Sequence, residues 1–234
     1  GGSAVNRLED TTDLADSFKS NMFVFDYPGT GESNGLPRRS TLMKTYQTAL
    51  TILQTHLQAQ QLVLYGHSFG GGVQAEALQN YTFPKGYPVI AIKSRTFSSM
   101  TAATKWMVQT NSKEYLQKSR FHRVANKASA LLGRITQLCI LLIGWNIKTA
   151  EASRNLHIPE IILYSASKNK ENPDGIIPEK ATLPVGLGTP KTTSTKVLLA
   201  IPEAHNDEFQ APTLQTLADK VNELFSNSSA PKST

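Results

Sequence analysis

The chain has a single cysteine, Cys139, so no disulfide can close within it and thiolate metal cages are excluded. Long hydrophobic runs are absent too: the longest uninterrupted apolar stretch, Leu138 to Ile143, is a fraction of the ~20 residues a membrane-spanning helix needs. No His/Asp/Glu group shows metal-ligand spacing, so neither a metal nor another cofactor is expected. No Gly-Lys-Ser/Thr or G-x-G-x-x-G follows a strand pattern, which removes phosphate-loop readings of Gly29-Thr30-Gly31 and Gly70-Gly71-Gly72. With 39% hydrophobic residues, 18% charged, 15 Gly and 12 Pro in 234 residues, the disordered and collagenous classes fall away. What remains is a globular chain long enough to bury a core.

Lys and Arg outnumber Asp and Glu, 24 to 18, for a net charge of +6. Many of the basic residues are scattered singly (Lys105, Lys113, Lys118, Arg120, Arg123, Lys127), so a solvated face is the first reading. Attraction to acidic partners, or a peripheral contact with anionic lipid headgroups, is the second. The basic residues are not interleaved with aromatics, so no nucleic acid is expected, and no obligate protein partner is implied. The chain opens at Gly1 with neither Met nor a signal-like segment, which reads as a fragment or processed form. The compartment stays open, cytoplasmic or secreted.

Five short apolar runs read as strands: Met22 to Tyr27, Leu62 to Tyr65, Pro88 to Ile92, Ile161 to Tyr164 and Val197 to Ile201. Helical stripes alternate with them. Over Thr41 to Gln60 the residues Leu42, Tyr46, Ala49, Leu50, Leu53 and Leu57 share a face, with Ser40 placed to cap it. Leu214, Leu217, Ala218, Val221, Leu224 and Phe225 trace another. Apolar strands alternating with helices predict an α/β fold, a mostly parallel sheet with helices on both faces. A single domain over 1–225 is expected, with a helical insertion or cap at 101–156 and a frayed tail from Ser226 to Thr234. The apolar residues of the insertion read first as a core or cap-packing face.

Chemistry concentrates where Leu62-Val63-Leu64-Tyr65 runs into Gly66-His67-Ser68-Phe69-Gly70 and a helix over Val73 to Leu78. This is strand, G-x-S-x-G, helix. In such an elbow the serine sits in a strained turn, and Gly66 and Gly70 are expected because side chains there would meet the neighbouring strand and helix. His67 is expected to pack beside the turn. The motif calls for an acid and then a histidine, each after a later strand. Asp174-Gly175-Ile176-Ile177-Pro178 and His205-Asn206-Asp207 occupy those places. Glu171 and Glu179 compete with Asp174, while Asp207 reads as a loop or capping residue. His56, His122 and His157 lack the post-strand position.

Taken together these motifs resemble the α/β-hydrolase-fold serine hydrolases over nearly the whole chain. Asp26-Tyr27-Pro28-Gly29-Thr30-Gly31-Glu32-Ser33 is similar to that family's D-x-R-G-x-G-x-S turn, with Pro28 where Arg is usual. With Ser94-Arg95-Thr96-Phe97-Ser98-Ser99, the set looks most like a group of such hydrolases found in intracellular bacterial pathogens, which is what brings secretion into a host cell into view. The resemblance implies a three-layer α/β-hydrolase fold, Ser68 as nucleophile, His205 as base and Asp174 as its orienting acid. It also implies an oxyanion hole from the Phe69 amide and a second amide near Gly2. That family's sheet has a further strand between Met22–Tyr27 and Leu62–Tyr65, so strands contributed from upstream of Gly1 are expected to complete the sheet. The activity implied is that of an esterase or lipase acting on a small-molecule or lipid acyl ester, with a thioesterase or depalmitoylase next. A non-catalytic binding module on the same fold is the alternative of a different class. Trp106, Met107, Leu131, Leu132, Leu142 and Trp145 hint at an acyl-chain pocket.

Overall fold

A computed structural model describes residues 8–117, 125–166, 172–189 and 191–229. Four strands, β1 (Leu62–His67), β2 (Val89–Ser94), β3 (Glu160–Ser165) and β4 (Lys196–Ile201), pair in parallel in the order β1-β2-β3-β4. All six residues of β2 are buried, as a central strand covered on both faces requires. Alternation then sorts the side chains. Ile90, Ile92, Ile161 and Leu163 face α1 (Leu8–Ser17) and α8 (Ala211–Ser229), packing with Leu14, Leu217 and Val221. On the other face Leu62, Leu64 and Ala91 pack with Leu42, Tyr46 and Leu50 of α2 (Arg39–Thr55) and Val73 and Ala77 of α3 (Phe69–Gln79). Three layers result, and each fully buried Leu or Ile contributes about 1.5–3 kcal/mol.

Between β2 and β3 lie α4 (Met100–Gln117), α5 (Ala125–Leu142) and α6 (Thr149–Asn155). The first two pack closely: a Cβ added at Gly133 of α5 would lie 2.7 Å from the carbonyl oxygen of Lys105. A 3-10 turn (Glu179–Ala181) and α7 (Leu183–Leu187) precede β4. Glu76 of α3 fastens this side together. Its carboxylate takes two 2.8 Å bonds from the Arg39 guanidinium and a 2.7 Å bond from the Lys148 amide ahead of α6.

Four expectations are corrected. Met22 to Tyr27 is not a strand, because a strand exists through its hydrogen-bonded ladder and no described strand pairs with this segment. Phe25 and Tyr27 instead turn toward α2, with the Phe25 ring 5.9 Å from Tyr46. Ser40 is not the cap of α2: that helix starts at Arg39, and the Arg38 amide donates to the Thr41 hydroxyl at 3.0 Å. Helix α8 continues to Ser229, four residues into the tail expected to fray, since extending an established helix adds one bond per residue fixed. Finally, much of the α5 surface is not a packing face: Leu131, Leu132, Ile135, Leu138, Leu141 and Leu142 are all exposed.

Candidate active site

Strand β1 ends at His67 and α3 begins at Phe69, leaving one residue to reverse the chain. That residue is Ser68, at φ 51° and ψ −118°. A positive φ is costly for a residue with a side chain, by roughly 1–3 kcal/mol, and is held only where the surroundings over-determine it. Here the Ser68 amide donates to the Ser94 carbonyl at 2.9 Å, and the Thr96 hydroxyl donates to the Ser68 carbonyl at 2.6 Å. A Cβ at Gly66 would lie 2.8 Å from the Gly71 Cα, so glycine is needed there. Gly70 differs from expectation, because a Cβ there would meet nothing within 4 Å. The chain turns into α3 so that position 70 opens onto the cleft, and the close approaches fall on Gly71, against Gly66 and Thr96, and on Gly72, against Phe97.

Ser68, His205 and Asp174 are brought into one line from three separate loops. The His205 Nε2 lies 2.8 Å from the Ser68 Oγ, and Nδ1 lies 2.9 Å from Asp174 Oδ1. Asp174 and His205 are both buried. The Asp174 Oδ1 also accepts the Ile177 amide at 2.7 Å, and its backbone carbonyl accepts the His205 amide at 2.8 Å. A carboxylate beside Nδ1 favours the tautomer with the proton on that nitrogen, which leaves the Nε2 lone pair facing the serine hydroxyl. His67 packs beside this line, its ring 4.9 Å from that of His205. Phe69 is the first residue of α3, so its amide has no intrahelical acceptor and sits at the positive end of the helix dipole. Gly2, the other expected oxyanion donor, lies outside the described residues, as does Glu171. Glu179 belongs to the 3-10 turn, and Asp207 takes the Ala204 amide at 2.9 Å as a loop residue.

One contributor had no role assigned from sequence. Arg95, buried and at φ 48°, lies over the Phe209 ring at 4.7 Å and donates through Nη1 to the carbonyls of Ala204 and Asp207. Its signal was positional, directly after β2. On the far side of the same loop, Glu203 accepts from the Gln210 amide at 3.0 Å and the Thr213 hydroxyl at 2.7 Å, tying it to α8.

Ser68 and His205 line a cleft of about 400 Å³ whose walls include Phe23, Phe25, Tyr65, Trp145 and Phe209. Of the six residues expected to form an acyl pocket, only Trp145 lines it, stacked on Phe69 at 6.2 Å. Trp106 and Met107 pack against the core, Trp106 beneath the amines of Lys105 and Lys180, while Leu131, Leu132 and Leu142 face outward. Among the described residues no group of three or more His, Cys, Asp or Glu side chains could hold a metal ion, and no helix is long and apolar enough to cross a membrane.

The family model described as Chlamydia CHLPS protein (DUF818) matches residues 4–226. The chain belongs to that family. The alpha/beta hydrolase domain-containing protein WAV2 of Arabidopsis thaliana is 33% identical over 81 residues, which is 34% of this chain and 26% of that protein. The uncharacterized protein YfhR of Salmonella typhi is 30% identical over 119 residues, 47% of this chain and 40% of that protein. The chain thus spans less than half the length of these relatives. Among solved structures, the Pyrococcus furiosus esterase Pf2001 superposes with a TM-score of 0.61 at 11% identity, covering 95% of this chain and 75% of that one. A monoacylglycerol lipase of Paleococcus ferrophilus gives 0.54 at 15% identity, covering 97% and 91%. This CHLPS-family chain has the α/β-hydrolase fold.

Proposed function

We propose that the protein is a serine hydrolase that cleaves a carboxylic ester, including a lipid acyl ester, through an acyl-enzyme on Ser68. The observation that carries this reading is the unbroken line from the Ser68 Oγ through His205 to Asp174, opening on an aromatic-walled cleft. Ser68 attacks the acyl carbonyl as its proton passes to the His205 Nε2. Negative charge then develops on the carbonyl oxygen, where the Phe69 amide and the α3 dipole favour it; such a donor is worth about 3–4 kcal/mol of barrier. The C–O bond breaks, His205 returns its proton to the departing alcohol, and the acyl group stays on Ser68. Water then attacks the acyl carbon, giving up a proton to His205; the bond from the Ser68 Oγ to the acyl carbon breaks, His205 returns the proton to that Oγ, and the acid is released. Asp174 stabilises the imidazolium formed in each half.

The test is fluorophosphonate labelling of the protein beside Ser68→Ala and His205→Ala, followed by a p-nitrophenyl ester chain-length series with a matched thioester. Labelling that vanishes in both variants, with ester turnover above thioester turnover, is the expected result. A folded protein that does not label would overturn the reading in favour of a binding module.

A further inference from the structure

We propose that the α4–α5 hairpin docks the protein on an anionic membrane surface. A helix packed on a domain ordinarily turns its apolar stripe inward and its polar residues to water. Helix α5 does the reverse. Its inward face is made of small residues, Ala125, Ser129 and Gly133, spaced four apart, with Gly133 pressed against α4. Its outward face carries Leu131, Ile135, Leu138 and Leu142, at 59%, 49%, 55% and 77% exposure, flanked by Leu141 and followed by Ile143 at 63%. One continuous stripe of large aliphatics is therefore presented to solvent, and such patches mark an interaction surface.

Charge decides what covers it. Helices α4 and α5 carry Lys105, Lys113, Lys127 and Arg134 against one acid, Glu114, a surplus of three positive charges. A second copy seated on this face would bring that surplus against its own like, at a cost rising with proximity. An anionic lipid surface satisfies both features at once. Aliphatic side chains enter the acyl boundary while basic residues stay at the headgroups, and Lys127 and Arg134, both exposed on α5, border the stripe for that purpose. Trp145, just past the end of α5, lines the Ser68 cleft, so the docked face lies beside its mouth. The docking does not depend on the chemistry proposed at Ser68.

Co-sedimentation with phosphatidylcholine vesicles, with and without phosphatidylglycerol, tests it. The protein should pellet with the phosphatidylglycerol vesicles, release as salt rises, and bind pure phosphatidylcholine at least about tenfold more weakly. Leu138→Glu/Leu142→Glu and Lys127→Glu/Arg134→Glu should each weaken binding about tenfold or more. All these side chains point to water, so both variants should keep the wild-type melting temperature and wild-type fluorophosphonate labelling in solution. Absence of binding to phosphatidylglycerol vesicles, or binding that survives both variants, overturns the proposal. A concentration-dependent dimer that the leucine variant dissolves would assign the face to a second copy instead. Wild-type protein that binds vesicles without labelling would defeat the hydrolase reading alone.

Discussion

The Arg95 guanidinium donates a 2.8 Å hydrogen bond to the backbone carbonyl of Asp207, two residues past His205, and through the same nitrogen to the carbonyl of Ala204, the residue before it. The histidine is thus gripped on both sides by a side chain from the end of β2. The neighbours of Arg95 in the same loop, Ser94 and Thr96, bond the backbone of Ser68. The stretch Ser94 to Thr96 therefore sets the distance between Ser68 and His205.

Arg95→Ala should accordingly lower kcat about 10–100-fold while KM changes little, because misplacing a base by an ångström costs rate more than binding. Arg95→Lys should restore only part of this, since an ammonium cannot reproduce the guanidinium's planar fork over Phe209. Steady-state kinetics on a p-nitrophenyl ester reads both. Equal loss in kcat and melting temperature would mean that Arg95 is only structural.

The elbow glycines should behave unequally. Gly66→Ala and Gly71→Ala push a methyl into backbone or a packed threonine, and each should cost about 1–3 kcal/mol in urea unfolding. Gly70→Ala should leave stability within about 0.5 kcal/mol, because its methyl enters open space. Any kinetic effect of that variant then reports what occupies the cleft.

Trp145→Ala removes an apolar wall that stacks on Phe69. Its KM for a medium-chain ester should rise about tenfold while acetyl ester hydrolysis stays near wild type, since each buried methylene contributes about 0.8 kcal/mol. A uniform loss across chain lengths would place the indole outside the acyl path.

A charged cluster lies beneath the sheet on the α6 side. Glu160 and Lys93 are fully buried and ion-paired, Lys196 pairs with the same carboxylate, and Ser153 of α6 donates to it at 3.1 Å. Glu160→Gln strands two lysines, and about 3–5 kcal/mol of stability should be lost in urea titration. Burial pulls Lys93 well below its ordinary range and Lys196 down to about 8. Between that value and the ordinary lysine range, the unfolded chain binds a proton at Lys196 that the folded one lacks, so Lys196 makes stability rise with pH upward from about 8, and the lowered Lys93 adds to the rise in the same direction. Lys196→Met should flatten the increase in melting temperature measured across that window. An unchanged slope would remove Lys196 as its source.

Much of this was legible in advance, for physical reasons. The strands β1 to β3 are short apolar runs buried or half-buried on both faces, β4 is an equally apolar run at the sheet edge with Leu198 exposed, and G-x-S-x-G between strand and helix is a local geometry that glycine chemistry imposes. Asp174 and His205 could be named because each directly follows a strand pattern or its loop. Met22 to Tyr27 misled because an apolar, aromatic run looks alike whether it is laddered or packed on a helix. The stripe of α5 misled for the same kind of reason, since periodicity reports that a helix has an apolar face but not which way that face turns.

The local sequence by itself determined the α/β alternation, the position of the elbow and the order Ser68, Asp174, His205, because these depend on residue spacing and backbone preferences over a few positions. The tertiary structure alone decided the rest. The grip of Arg95 on the histidine loop spans 112 residues of chain. Which glycine is sterically obliged, the burial of Lys93 beside Glu160, and the outward turn of the α5 leucines likewise depend on what distant segments bring into contact. Long-range packing chooses among faces that local periodicity leaves equivalent.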